Sequence, residues 1–123
     1  MYPAKSYCIK EGMVYSIGNV PFANAMQRAL HFARHGNEFT AVDEFEYERL
    51  ADAFMSAPAH ADMHECVNPT GTNDHNRLDA SNRHFGVAYG RLIIRTYHVR
   101  DAFSISYWGG PAGFVAHKCA EVH

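Results

Sequence analysis

The chain is poor in the features that most often announce a function. Among 123 residues it has three cysteines, three lysines (Lys5, Lys10 and Lys118), one tryptophan, and no run of more than three apolar residues, Leu92-Ile93-Ile94 being typical. A membrane-crossing helix needs about twenty apolar residues and a secretory signal about seven, so the expectation is a soluble protein without a visible export signal. Cys8, Cys66 and Cys119 are odd in number and widely spaced. No disulfide framework is expected from them, and reduced thiols in a cytoplasm fit the pattern. The formal charge of −2 lacks the basic excess of proteins that live on phosphate backbones, which argues against general nucleic-acid binding. Dinucleotide, phosphate-loop and Gly-x-Ser-x-Gly fingerprints are missing, and Asp74, Asn76 and Asp79 lack the register of a calcium loop.

What is present is a globular composition, 47% hydrophobic and 20% charged, in a length that suits one domain over 1–123. Ser6 to Ile17 reads as a hairpin about Glu11-Gly12. Pro21 opens a predicted helix whose core face is Phe22, Met26, Leu30 and Ala33, stopped by Gly36. After a brief extended piece, Asp43 and Glu46 form a capping box for a second helix reaching about Met55. Its stripe is Tyr47, Leu50, Ala51, Phe54 and Met55, while Glu44, Glu48 and Asp52 are expected to face solvent.

Beyond Pro58, Ala59 to Val67 is read as one or two helical turns. The seventeen residues Asn68 to His84 hold only Leu78 and Ala80 as apolar members and read as a long polar loop. Strands follow at Phe85 to Tyr89, Arg91 to Val99 and Phe103 to Trp108, then a turn cluster at Gly109 to Gly113. The fold class expected is α+β: one antiparallel sheet, made of the N-terminal hairpin and the C-terminal strands, covered on one side by two helices.

Nine histidines raise the question of a metal. In a helical segment His60 and His64 would share one face and could hold Zn²⁺. They match neither His-Glu-x-x-His nor His-x-x-Glu-His. A C-terminal hairpin, closed at Asp101-Ala102, would put Arg91, Arg95, Tyr97, Ser104, Ser106 and Trp108 on one outward face. Leu92, Ile94, Phe103, Ile105 and Tyr107 would form its core side. Arginine, tyrosine and tryptophan are the types enriched at binding hot spots. The leading expectation is therefore a non-enzymatic protein-binding module, of the kind that serves as an inhibitor or accessory factor in phages and mobile elements. Two alternatives stand beside it: a small metal-dependent enzyme using His60 and His64, and an RNA or single-strand binder stacking bases on Tyr97 and Trp108 with Arg91, Arg95 and Arg100 on phosphates.

Overall fold

A computed structural model describes residues 20–68, 74–89 and 93–121. The hairpin expected over Ser6 to Ile17, together with Cys8, lies outside them. The chain runs α1 (Ala25–His35), a 3-10 turn (Gly36–Phe39), α2 (Glu44–Ser56), β1 (Met63–Val67), β2 (Asp74–Asp79), β3 (His84–Tyr89), β4 (Ile93–Val99), α3 (Ala102–Tyr107) and α4 (Pro111–Ala120). The strands form one antiparallel sheet in the order β1-β2-β3-β4. The α+β class is the one expected, but the layers differ: α1 and α2 cover one face, and α3 and α4 cover the other.

Local chemistry sets the first layer. Asn24 caps α1 by accepting from the Gln27 N–H, so the helix starts four residues beyond Pro21. Its expected core face is wrong, since Met26 is 69% and Leu30 49% exposed, and the buried Phe22 lies before the helix, bridged to Ile94. Asp43 accepts from Glu46 N–H while Glu46 reaches back to Val42 N–H, a capping box displaced by one residue. The stripe of α2 packs as expected, with Tyr47, Ala51 and Met55 buried. The acidic row does not face solvent. Glu44 holds Arg28, Glu48 accepts from the Phe22 N–H at 2.9 Å, and buried Asp52 accepts from the Val20 N–H at 3.0 Å. Spaced four apart, these carboxylates tie α1 and the strand-like segment before it onto α2.

The region read as a polar loop over 68–84 instead contains β2, an inner strand. Asp74, Asn76, Arg77, Leu78 and Asp79 are all buried there. Its charged side chains find partners, most of them distant in sequence: Arg95 for Asp74, Glu65 and two helix carbonyls for Arg77, and His60 together with the adjacent Ser81 for Asp79, while Asp74 Oδ2 and Asn76 Oδ1 have no hydrogen bond among the described residues. Likewise Ala59 to Val67 is not helical, because β1 occupies its second half.

Between β3 and β4 the register slips at Val87/Ala88, so that Arg95 is an extra residue on β4. The bulge turns Ile94 and Tyr97 both toward the α2 layer and sends Arg95 to the opposite face, where its Nε meets Asp74 Oδ1 at 2.7 Å. The last strand expected, Phe103 to Trp108, is the helix α3. Asp101 caps it, accepting from the Ser104 N–H at 2.9 Å and from Ser104 Oγ at 2.7 Å. A disulfide joins Cys66 of β1 to Cys119 of α4, with Cα atoms 6.0 Å apart, which corrects the expectation of reduced thiols for this pair. Among the described residues no helix is long and apolar enough to cross a membrane.

One pH dependence follows from the packing. His98 stacks on His35 at 4.9 Å and meets Phe85 edge-on. Burial, reinforced by the nearby charges of His35 and Arg100, pushes its pKa down to about 4, against a weaker opposing pull from Glu38. A histidine neutral in the fold but protonated in the unfolded chain contributes stability above pH 6.5, which is lost as pH falls toward 4. Burial also lowers His31 and His84. We expect His98 alone to remove about 2 kcal/mol between pH 7 and pH 5. Guanidinium unfolding at the two pH values checks this, and a clearly smaller loss in His98→Gln identifies the group.

Candidate functional site

The outward face expected from a C-terminal hairpin is not assembled. Arg91 lies outside the described residues. Arg95 is committed to Asp74, and its guanidinium also sits over the Tyr89 ring at 5.5 Å. Tyr97 is buried between layers, stacked on Phe39 at 4.0 Å. Ser104 belongs to the α3 cap, Ser106 is exposed on α3, and Trp108 ends that helix. The alternation Phe-Ser-Ile-Ser-Tyr mimics a strand period, but Asp101-x-x-Ser104 wins locally because it satisfies the first amides of a helix.

The same correction creates a different surface. Ile105 is the residue of α3 that enters the core. Phe103 and Tyr107, four apart on the helix, are left 77% and 69% exposed, and Trp108 beside them is 40% exposed. The hairpin expectation places Phe103 and Tyr107 on a core side, whereas their one-turn spacing behind an aspartate cap is the sequence signal for this exposed helical face. Trp108 is held in place: its ring stacks on His117 of α4 at 3.5 Å and 11°, and Tyr107 meets its edge at 4.9 Å. Gly113 permits this fit, since a Cβ there would coincide with the Trp108 carbonyl oxygen. Gly110, with φ 101°, supplies the left-handed turn into α4. The neighbouring cations Arg100 and Lys118 sit over the Phe114 ring, which is fully buried.

His60 and His64 do not converge. His60 Nε2 lies 3.2 Å from Asp79 Oδ2 on the α2 side of the sheet. His64, paired with Leu78 on β2, lines a depression against Ala112, Val115 and Ala116 of α4. Among the described residues no three histidine, cysteine or carboxylate side chains are grouped to hold a metal ion.

A cleft opens on the α2 side, between the end of α2 and the β1–β2 pair. Glu65 and His75 line it, and one oxygen of Glu65 accepts from both His75 and Arg77. Neither residue is marked by a motif in the sequence, because nothing local announces a strand at Asp74 to Asp79. Comparison with protein-family models, curated proteins and solved structures returned no match.

Proposed function

We propose that the protein is a non-enzymatic binding module that engages another protein through Phe103, Tyr107 and Trp108. The observation that carries this reading is the joint exposure of three aromatic rings on one short helix, with the Trp108 ring already fixed against His117. Large exposed apolar clusters mark interaction sites, and aromatic anchors dominate interface energies. A side chain immobilised before contact loses less entropy on binding. The Ser106 hydroxyl, exposed on the same helix, adds a polar contact at the rim.

A protein partner fits better than a nucleic acid. Arg100 and Lys118 cover Phe114 instead of framing the aromatic rings, so these two cations do not form the border that stacking on nucleic acid uses. The Cys66–Cys119 bridge favours action in an oxidising compartment.

The test places a photo-crosslinking benzoylphenylalanine at position 103, and for comparison at position 42, where Val42 is exposed beside the other helical layer. In cells of the native source we expect a defined protein adduct from 103 alone, lost on Trp108→Ala. Adducts shared by both positions, or adducts only to nucleic acid or to a second copy of the chain, would remove the reading.

A further inference from the structure

The cleft between α2 and β1–β2 is separate from the aromatic surface and lies on the opposite face of the sheet. It is a half-open cleft of about 610 Å³, and small-molecule sites typically span roughly 300–1,000 Å³. Its walls are apolar, from Val20, Met55, Ala57, Pro58, Ala59 and Val67, with Glu65, His75, Arg77 and Ser56 supplying the polar groups.

Those polar groups are ordered by their own bonds. Arg77 gives Nη1 to the carbonyls of Phe54 and Ala57 at 2.8 and 2.6 Å, closing the C-terminal end of α2, and Nε and Nη2 to Glu65 Oε1 at 2.9 and 2.8 Å. Its side chain is 6% exposed, so this guanidinium is spent on the protein. Glu65 Oε1 also accepts from His75 Nε2 at 2.7 Å. Burial raises the Glu65 carboxyl, but the hydrogen bonds from Arg77 and His75 outweigh that and hold it below its ordinary value. An ionised carboxylate only accepts, so the His75 Nε2–H donates to Glu65. Glu65 Oε2 is not bonded to another described residue.

We propose that this cleft binds a small neutral organic molecule with an apolar body and a hydroxyl or N–H head group that donates to the second carboxylate oxygen of Glu65. The site offers that acceptor beside an apolar wall. An anionic head group would meet the Glu65 carboxylate without a free guanidinium to answer it. A cationic head group would add a charge beside Arg77 and lose its hydration in a half-apolar cleft. A neutral donor avoids both costs and pairs Glu65 Oε2.

A matched series tests this by NMR titration of the intact protein, following backbone amides and the His75 ring nitrogens. The probes are 4-ethylphenol, 4-ethylanisole, which has the same shape without the donor, and 4-ethylbenzoate, which is anionic. We expect 4-ethylphenol to shift the cleft amides and His75 saturably with a dissociation constant on the order of 1 mM. The other two should bind at least tenfold more weakly. Glu65→Gln keeps a carbonyl toward Arg77 and His75 but turns a donating amide to the place of Oε2, and should weaken 4-ethylphenol about tenfold. Should that variant fail to fold, Val67→Trp, which fills the cleft from an exposed position, should abolish the shifts. Equal binding of 4-ethylphenol and 4-ethylanisole overturns the proposal, as does a lack of saturable shifts at the cleft amides up to solubility.

Discussion

Replacing Tyr47 by alanine is expected to lower the free energy of unfolding by about 4 kcal/mol, enough to consume much of the stability of a domain this size. Tyr47 is fully buried on the inner face of α2, within 6.2 Å of the rings of Phe22, Phe32, Phe39 and Tyr97. Truncation opens a ring-sized cavity at the point where α1, the 3-10 turn, α2 and β4 meet. It also removes the hydroxyl that donates to the Tyr97 carbonyl. Tyr47→Phe separates the two effects, keeping the packing and leaving that carbonyl unpaired at a cost of about 1–2 kcal/mol. Denaturant unfolding of both variants measures this. A loss below about 1.5 kcal/mol for the alanine variant would mean that the helical layer does not depend on this contact.

Removing the Cys66–Cys119 bridge is expected to be nearly as costly. The two residues are 53 apart in sequence, and closing a loop of that length in the unfolded chain stabilises the fold by about 4 kcal/mol on the chain-entropy model. For a chain of this size that corresponds to a fall in Tm of roughly 15 °C. Reduction and the Cys66→Ser, Cys119→Ser double variant should agree in thermal unfolding. The bridge joins the edge strand β1 to α4, in the cluster around Leu78, Phe85 and Phe114, so the loss should be largest for the layer that carries Trp108. Unchanged Tm on reduction would show that packing alone holds α4 to the sheet.

The parts of the fold legible in the sequence are those decided locally. Asp43 and Glu46 announce α2 because capping is a contact over three residues, and the stripe from Tyr47 to Met55 follows the helical period. The strands β3 and β4 carry the β-branched and aromatic residues that favour a pleated surface. What escaped depends on distant partners. Asp-His-Asn-Arg-Leu-Asp has the composition of a loop, and it becomes an inner strand because Arg95, Glu65 and the end of α2 answer its charges. Glu44, Glu48 and Asp52 look solvated until Arg28 and the amides of Val20 and Phe22 are set against them. The Cys66 pairing likewise needs both β1 and α4 in place.

The candidate surface was legible in part. Trp108 and Ser106 stand out in the sequence and lie on the exposed end of α3, but the strand pairing that would join them to Arg95 and Tyr97 does not form. The alternating pattern over six residues competes with the aspartate cap before it, and the cap decides the local structure. Phe103 and Tyr107 moved from the expected core to the surface when the period changed from two to 3.6.

Whether α3 presents a protein-binding surface is decided by titrating the partner captured at position 103 against purified variants. Phe103→Ala and Trp108→Ala should each weaken binding by about 30-fold or more while unfolding as the parent does. Met26→Ala, an exposed apolar truncation on α1, should leave the affinity unchanged. Full affinity in folded Phe103→Ala and Trp108→Ala would mean that partner binding does not use α3.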